Sequence, residues 1–338
     1  MNRPIAWHIG RRGEVAGGMT QVVNGYLAWS FDRFDVRVLV SRDGSHGPRA
    51  LALFARAAAR LATLGGRRTD VIVAHLSQGG SFLREGVLLR LARARGFATV
   101  AQLHGSSFRD FADRRPDLVR RVLSAASVVL TLSDESADVA RRFVPADRVV
   151  LLPNAVPHGD EAPKGRTVVF GGSVSHRKGV DVLVRAWRAV GAGSGWRLLI
   201  AGPVADEAVV DRDLPDAEFL GSVEHAHLMH LLESSSVAVL PSRDEAMPMF
   251  ILEALARRNC VIATRVGGIA SVLDEGRGLL VDPGDVEQLE QALRTALFDD
   301  HARERIAAAG AASFDAEFSA RAVYPRVEQV WSDALASR

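Results

Sequence analysis

Cysteine, lysine and long apolar runs are scarce in this sequence, and each shortage excludes a class of protein. The 338 residues contain one cysteine, Cys260, which excludes an intrachain disulfide framework and a thiolate metal cluster. No apolar run reaches the ~18 residues that a membrane-spanning helix needs. The chain starts with a strand pattern rather than the apolar core of a signal peptide. We therefore expect a cytoplasmic protein, with peripheral contact to the inner membrane face as an alternative.

Lysine occurs only at Lys164 and Lys178, whereas the sequence has 40 arginines. Where arginine is the usual cation, a lysine at the start of a helix indicates a site that needs a compact ammonium group. Lys178 stands at such a position, immediately before the helical pattern of residues 180–190. A diphosphate held by that ammonium and by helix N–H groups is the ligand that this position predicts.

Charge is divided unevenly along the chain, although the net charge is only +2. Residues 1–157 contain 23 arginines and no lysine against 13 acidic residues, which predicts an anionic partner for this half. A phosphorylated or lipid-linked acceptor and an anionic membrane surface fit equally well. The basic amphipathic pattern of Arg49–Arg68 is typical of a solvated helix face or of a helix on a membrane. We expect no nucleic acid partner, because no recognition motif accompanies the charge.

Apolar runs of strand length alternate with amphipathic helical patterns along the whole chain. This alternation predicts an α/β protein with parallel, doubly wound sheets, and the length suffices for two domains. Prolines and glycines between residues 154 and 164 place the boundary near residue 157. We therefore expect an N-terminal domain at residues 1–157 and a C-terminal domain at residues 158–316.

Polar residues follow the predicted strands of the first domain, where open parallel sheets bind ligands. The glycine pair Gly17-Gly18 lies between a strand and a helix, either as a tight connection or as a close approach to a phosphate or sugar. The other candidates follow the strands Val71–Leu76 and Ala98–Leu103, and are Ser81, Arg84, His104 and Ser106. We expect Ser81, Arg84 and Ser106 to contact the acceptor. His104 is either a hydrogen-bonding fixture or a reactive group.

The most informative stretch runs from Leu240 to Ser271 and contains two glutamates eight residues apart, Glu245 and Glu253. We predict a strand, a loop with Glu245, and a helix that begins at Pro248. The N–H groups at that helix start suit an anion, and the nearby carboxylates can accept from sugar hydroxyls. A nucleotide-sugar site follows, with Met247, Pro248, Met249 and Phe250 at the helix start.

This stretch resembles the Glu-x7-Glu signature of retaining GT-B glycosyltransferases of family 4. The shared positions are Pro241, Ser242, Glu245, Pro248, Leu252, Glu253, Ala254, Ala256 and Gly267-Gly268-Ile269; the departures are Ala246, Ala270 and Ser271. The resemblance implies two Rossmann-like domains that face each other across a cleft. It also implies that residues 317–338 form a helix that packs back on the N-terminal domain.

The resemblance further implies roles for individual residues in retaining transfer from a UDP- or GDP-linked sugar to a hydroxyl. Lys178 would stabilise the leaving diphosphate, Glu245 would hold the transferred sugar, and Glu253 would hold the ribose. His104 would act near the donor sugar and the acceptor. The remaining donor contacts would be Gly17, Gly18, Ser173, Arg177, Gly202, Gly221 and Val223. Ser173 stands where the family has arginine, and the neighbouring Arg177 is a candidate to replace that charge.

We expect no metal and no cofactor other than the donor, because no acidic metal triad is apparent. His225, His227 and His230 have the wrong spacing for a metal site and are expected to be solvated or capping residues. A nicotinamide-dependent oxidoreductase is disfavoured, because Gly10–Gly18 lacks the Gly-x-Gly-x-x-Gly spacing. A non-catalytic binding protein and a sugar-nucleotide epimerase of the same fold stay open as alternatives.

Overall fold

A computed structural model describes residues 3–11, 13, 17–45, 47–66, 68–160 and 162–337. The chain forms two compact units. Unit 1 comprises Met1–Ala155 with Ala320–Arg338, and unit 2 comprises Val156–Ser319. Part of the predicted glycine loop after the first strand, at residues 12 and 14–16, lies outside the described residues.

Unit 1 contains a parallel sheet of six strands in the order β2-β1-β3-β4-β5-β6. Every residue of β3 and β4 is buried, as expected of parallel strands covered on both faces. The strands are β1 Ile5–Gly10, β2 Asp35–Val40, β3 Val71–Leu76, β4 Ala98–Leu103, β5 Val128–Thr131 and β6 Val149–Leu151. The helices are α1 Gly18–Ala28, α2 Pro48–Thr63, α3 Gly80–Ala94, α4 Phe108–Arg114, α5 Pro116–Leu123 and α6 Asp134–Arg141.

Unit 2 contains a second parallel sheet of six strands, in the order β12-β11-β10-β7-β8-β9. Its strands are β7 Gly165–Gly171, β8 Arg197–Ala201, β9 Ala217–Gly221, β10 Ser235–Leu240, β11 Cys260–Thr264 and β12 Leu279–Val281. Its helices are α7 Val180–Val190, α8 His225–Ser234, α9 Met249–Leu255, α10 Ile269–Leu273, α11 Val286–Phe298 and α12 Asp300–Ser313. A π-helical turn, Phe314–Phe318, follows α12.

The last helix, α13 (Ala320–Ala336), belongs to unit 1. Trp331 is fully buried, and its ring lies 4.8 Å from that of Phe31 and 6.0 Å from that of Tyr26, between centroids. Glu328 accepts hydrogen bonds from the backbone N–H groups of Arg33 and Phe34, at 2.6 and 3.3 Å. This helix therefore packs against unit 1 through a buried face that includes Trp331.

Several predicted elements differ from the observed ones in their bounds. The helix predicted at Arg49–Arg68 ends at Thr63, and α9 begins at Met249 with Pro248 as its N-cap. Helices α4 and α5 are separate, because Arg115, the residue before Pro116, is disfavoured from helical geometry. Among the described residues, no helix is long and apolar enough to cross a membrane.

Candidate functional site

Lys178 and Glu245 meet in unit 2. Lys178 ends a short 3-10 turn before α7, and Glu245 lies in the loop between β10 and α9. The Lys178 Nζ donates to Glu245 Oε1, and the Ser242 hydroxyl donates to the same oxygen at 2.8 Å. The two side chains are only 14% and 10% exposed, so little solvent screens the pair. Glu245 is thus not free in its loop, as its position alone suggested, but is held by two donors.

A second set of contacts joins the same two segments. Arg243 donates to both carboxylate oxygens of Asp181, at 2.7 and 2.8 Å, and this hydrogen bonding raises the pKa of Arg243. The Arg243 N–H also donates to the Arg177 carbonyl at 2.8 Å. Bidentate contacts of this kind fix geometry as well as charge. Neither Arg243 nor Asp181 belongs to a motif in the sequence. The structure brings their two segments together and so reveals that this pair joins them.

Arg177 lies beside the Lys178–Glu245 pair. Its Nη1 donates to the Asp244 carbonyl at 2.8 Å and lies 4.0 Å from Glu245 Oε1. The guanidinium therefore approaches the same carboxylate as the lysine, although the two residues are neighbours in sequence. Ser173, which stands where the family has arginine, accepts at its carbonyl from the Ser175 hydroxyl at 3.3 Å.

Two glycines allow this loop to approach its neighbours. Gly179 has a φ of 70°, and a Cβ there would overlap the carbonyl oxygen of Pro241. Gly267 has a φ of 52°, and a Cβ there would overlap the carbonyl oxygen of Glu245. The next N–H, of Gly268, donates to the Ala246 carbonyl at 2.6 Å. The predicted Gly-Gly turn thus supports the backbone of Glu245, and any side chain would displace it.

Glu253 lies in α9 and is 4% exposed. Its Oε1 is 2.8 Å from Nε2 of His225, the first residue of α8, whose side chain is 41% exposed. His225 is exposed to solvent, as predicted, and its contact with Glu253 was not predicted. The buried carboxylate thus has a hydrogen-bond partner, which lowers the cost of its burial.

The start of α9 presents backbone rather than side chains. Met247, Met249 and Phe250 are buried, and Pro248 has an extended conformation. The Ile251 N–H donates to the Pro248 carbonyl at 3.2 Å, so this N–H is already used within the protein. The predicted donors at this helix start are therefore the N–H groups of Met249 and Phe250.

The carboxyl ends of β7, β8 and β9 bring three glycines together. The Gly172 N–H donates to the Ala201 carbonyl at 2.9 Å, and the Gly202 N–H donates to the Gly221 carbonyl at 2.8 Å. A Cβ on Gly202, whose φ is 150°, would overlap the Gly172 carbonyl. Val223 is half-buried in the loop that follows β9. These residues form an all-backbone wall of the kind that the sequence predicted for a nucleotide.

In unit 1, His104 ends a row of three imidazoles that begins on β1. His8 Nδ1 is 2.8 Å from His75 Nε2, and His75 Nδ1 is 2.9 Å from His104 Nε2. Burial lowers the pKa of His8 to about 3 and that of His104 to about 4, and lowers the pKa of His75 well below its usual value. All three are therefore neutral at pH 7. His104 is a hydrogen-bonding group rather than a charged acid.

The row of imidazoles also has a direction. His8 Nε2 is buried and has no hydrogen-bond partner among the described residues. Buried N–H groups without a partner are rarer than buried acceptors, which assigns the proton of His8 to Nδ1. His8 then donates to His75, His75 donates to His104, and the proton of His104 lies on Nδ1. The row thus fixes the tautomer of His104.

The other candidates of unit 1 lie around helix starts. Gly17 is the N-cap of α1, with a φ of 133°, and Gly18 begins that helix. Ser81 is buried in the first turn of α3 and donates to Glu85 at 3.0 Å, so its hydroxyl proton is used within the protein. Arg84 lies one turn further along α3, 3.8 Å from Glu85. Ser106 is half-buried in the loop after His104.

Among the described residues, no group of three or more His, Cys, Asp or Glu side chains is arranged to hold a metal. An Asp-x-Asp sequence does occur at Asp211–Asp213. There Asp211 pairs with Arg188 and accepts from the Asp213 N–H at 3.2 Å. His225, His227 and His230 do not form a metal cluster either.

Two family models match this chain. Residues 165–299 match a model described as glycosyl transferases group 1, and residues 17–155 match one described as a glycosyl transferase 4-like domain. Residues 1–16, 156–164 and 300–338 lie outside the two matches.

Among individual relatives, the chain is 29% identical over 251 residues to an exopolysaccharide phosphotransferase of Streptomyces coelicolor, covering 71% of this chain and 26% of that protein. It is 26% identical over 329 residues to the D-inositol 3-phosphate glycosyltransferase of Corynebacterium diphtheriae, covering 85% and 76%. The chain spans between about a quarter and a half of the length of the first relatives that it matches.

Solved structures match over the whole chain. Sucrose-phosphate synthase from Thermosynechococcus elongatus superimposes with a TM-score of 0.78 at 20% identity, over 100% of both chains. Anabaena HepE in complex with UDP-glucose superimposes with a TM-score of 0.74 at 16% identity, over 97% of this chain and 99% of that one. At such identities the likeness concerns the fold alone. Together with the two parallel sheets, it confirms the predicted GT-B fold.

Proposed function

This chain belongs to the group 1 glycosyltransferases, and from that premise we propose that it transfers a sugar from a nucleoside-diphosphate sugar to a hydroxyl acceptor. The contact between Lys178 and Glu245 carries this proposal. An ammonium that also faces a leaving diphosphate stabilises negative charge as the glycosidic bond breaks. A carboxylate fixed beside it can accept from a hydroxyl of the transferred sugar.

In this proposal, residues of unit 2 bind each part of the nucleotide sugar. Lys178 and Arg177 neutralise the diphosphate, with the N–H groups of Met249 and Phe250 as further donors. Glu245 orients the sugar. Glu253, held by His225, accepts from the ribose hydroxyls. The backbone at Gly202, Gly221 and Val223 holds the base.

Unit 1 supplies the acceptor residues in this proposal. The neutral His104 donates from Nδ1 to a sugar or acceptor oxygen, and its direction is set by His75. Ser81, Arg84 and Ser106 contact the acceptor, and Gly17 and Gly18 provide backbone donors to the donor phosphates. The pKa of about 4 means that His104 stays neutral over the physiological pH range.

The donor is a UDP- or GDP-sugar, and the transfer retains the anomeric configuration without a divalent ion. A structure of similar fold was solved with UDP-glucose, which supports a nucleotide-sugar donor. The positive charges of Lys178 and Arg177 support metal independence, because they can replace a cation at the leaving group. Retention rests on the likeness of the Glu245–Glu253 stretch to the retaining family.

We further propose a cytoplasmic role in building a cell-surface glycan, a glycolipid or a secondary metabolite. Helix α2 supports contact with an anionic membrane, because Arg49, Arg56 and Arg60 are exposed on it together with Leu51. Sedimentation of the protein with phosphatidylglycerol vesicles, but not with phosphatidylcholine vesicles, tests that contact.

The function is tested by the melting temperature of the full chain with UDP, GDP, UDP-glucose and GDP-mannose, with and without EDTA. A ligand that binds the folded state raises the melting temperature, and EDTA should not alter the rise. The donor that stabilises most is then incubated with candidate acceptors, and the anomeric proton of the product is assigned by NMR. Isomerisation of the donor without an acceptor would instead identify an epimerase. Donor binding without any transfer would identify a binding protein.

A further inference from the structure

A cavity of about 390 Å³ opens in unit 1 beside the sequence-predicted acceptor residues. It lies beyond the carboxyl ends of β2, β1 and β3, which are neighbours in the sheet. The chain leaves β1 toward β2 on one side and returns to β3 on the other, so the cavity lies at a topological switch point. Its lining residues are Arg11, Gly17, Met19, Thr20, Arg42, Ser77, Gln78, Gly80, Ser81 and Arg84.

The charge of this cavity is positive. Three arginines line it, Arg11, Arg42 and Arg84, and none of its described lining residues is acidic. Burial and the neighbouring Arg84 lower the pKa of Arg11, against a smaller opposing effect of Glu85 and Asp43. The nearest buried acid is Glu85, whose pKa is raised by burial and whose oxygens accept from Ser41 and Ser81. The arginines thus outnumber the neighbouring carboxylates, which leaves an excess of positive charge at the cavity wall.

Two donor atoms in this cavity lack a hydrogen bond within the described part of the chain, although Arg84 Nε lies 3.8 Å from Glu85 Oε1. The Nε atoms of Arg11 and Arg84 are buried and have no hydrogen-bond partner among the described residues. Buried donors are usually hydrogen-bonded in folded proteins, so two such atoms on one cavity wall favour a ligand that accepts hydrogen bonds. Arg84 Nη1 also lies 3.4 Å from the position of a Cβ on Gly80, which directs the guanidinium toward the start of α3.

Two helices begin at the cavity wall without a side-chain cap. Helix α1 starts after Gly17 and α3 starts after Gly79, and neither N-cap residue carries a side chain that could accept from the first-turn N–H groups. Such N–H groups point along the helix axis and favour an anion. The N–H groups of α3 add to the arginines at the same place, since Gly80 lines the cavity, whereas those of α1 belong to the donor phosphates in the proposed function.

We propose that this cavity binds a phosphate group of the acceptor, so that the acceptor is a soluble phosphorylated sugar or polyol. The inference rests on the proposed transfer and names its acceptor class. One guanidinium group can donate two parallel hydrogen bonds to the oxygens of a phosphate. Three arginines therefore suit the oxygens and the charge of a phosphate monoester. The volume suffices for a phosphate with a small polyol body. A polyanion such as nucleic acid would need an extended basic groove rather than a compact pocket.

The test measures binding to the full chain by calorimetry, with glucose 6-phosphate and glycerol 3-phosphate against glucose and glycerol, and with UDP as the donor-site ligand. We expect the phosphorylated compounds to bind at least tenfold more tightly than their unphosphorylated counterparts. Arg42→Gln and Arg84→Gln should each weaken that binding at least tenfold and leave the affinity for UDP unchanged. Arg90→Gln, on an exposed position of α3, is the matched control and should change neither.

Several outcomes would overturn the proposal. One is equal binding of phosphorylated and unphosphorylated compounds. Another is loss of UDP affinity in the arginine variants, which would assign the cavity to the donor phosphates. A third is arginine-dependent binding to phosphatidic acid vesicles without binding of glucose 6-phosphate, which would assign the cavity to a lipid headgroup.

The Arg42→Lys variant is a control for misfolding. It keeps the positive charge but not the paired donors, and it should therefore bind the phosphorylated compounds with intermediate affinity. Failure of UDP to bind the unmodified chain would count against the donor site alone.

Discussion

The ammonium of Lys178 donates to the carboxylate of Glu245 across 67 positions of sequence, and each side chain is nearly buried. Lys178→Ala should therefore lower the rate of sugar transfer by about 10²–10³, the usual effect of removing one donor to developing charge. The rate constant at saturating donor measures this change. Lys164→Ala is the control, because Lys164 is the only other lysine and donates to the Leu232 carbonyl. Since Lys164 lies away from the proposed site, this variant should keep a rate within about threefold of the unmodified protein. Transfer at an undiminished rate by Lys178→Ala would refute the assigned role.

Gly267 and Gly284 allow a matched comparison, because both have positive φ, at 52° and 86°. Alanine at Gly284 meets no atom within 4 Å, whereas alanine at Gly267 would overlap the Glu245 carbonyl. Both substitutions should lower the unfolding free energy by about 1 kcal/mol or more through backbone strain. Only Gly267→Ala should also weaken donor binding. Equal affinity of the two variants for the UDP- or GDP-sugar that stabilises the unmodified chain most, measured by calorimetry, would show that the Gly267 turn does not position Glu245.

His225 should influence how the protein recognises ribose, because it contacts Glu253. His225→Phe removes a hydrogen bond to a buried carboxylate and should weaken UDP binding about tenfold. The same variant should lose its preference for UDP over 2′-deoxy-UDP, which a general loss of stability would not cause. His227→Phe, at an exposed position two residues on, is the control and should keep both properties. A preserved preference in His225→Phe would separate Glu253 from the ribose.

The three imidazoles of unit 1 predict a pH dependence of stability. Their pKa values in the folded protein lie below the ordinary value of 6.5, at about 3 for His8 and about 4 for His104. The unfolded chain therefore binds more protons below pH 6.5, and stability present above that pH is lost as the pH falls toward 4. Each imidazole contributes a slope that approaches about 1.4 kcal/mol per pH unit.

Denaturant unfolding between pH 7 and pH 5, followed by tryptophan fluorescence, measures this slope. His104→Gln removes one titrating group and should make the slope shallower. His227→Gln, exposed in unit 2, should not change it. A slope that is the same in His104→Gln as in the unmodified protein would contradict the neutral, buried state of His104.

Cys260 is the only thiol and is buried in β11, where burial raises its pKa to about 12. The thiolate is the reactive form, so the native protein should resist thiol reagents at pH 8. Labelling should proceed only when unit 2 opens, and a bound nucleotide should slow it. Rapid labelling of the native chain would show that β11 is more accessible than its packing indicates.

The fold was largely predictable, because it depends on patterns that are local in sequence. Apolar runs separated by helical patterns identified most strands of both sheets, and the spacing of Glu245 and Glu253 pointed to a nucleotide sugar. The rarity of lysine singled out Lys178, which the structure places against Glu245. The bounds of α2 and α9 were less accurate, since helix ends depend on capping and on tertiary contacts.

What the sequence could not predict depends on which strands and loops are neighbours. His8, His75 and His104 form a row only because β1, β3 and β4 are adjacent, and strand order is not written in the spacing of strands. The contact of Arg243 with Asp181 likewise joins segments 62 positions apart. The contact of His225 with Glu253 was not predicted, because a histidine at a helix start usually faces solvent. The structure reveals this contact by placing the start of α8 beside α9.

Helix α13 completes the core of unit 1 around Trp331, yet the chain between Ala155 and Ala320 is devoted to unit 2. During synthesis the ribosome must therefore release every residue of unit 2 before the rings of Tyr26 and Phe31 can be covered. Until then the nascent first unit displays an aromatic surface that chaperones would recognise. Unit 2, whose segments are contiguous, can fold first although it is made second, so the order of folding should be the reverse of the order of translation.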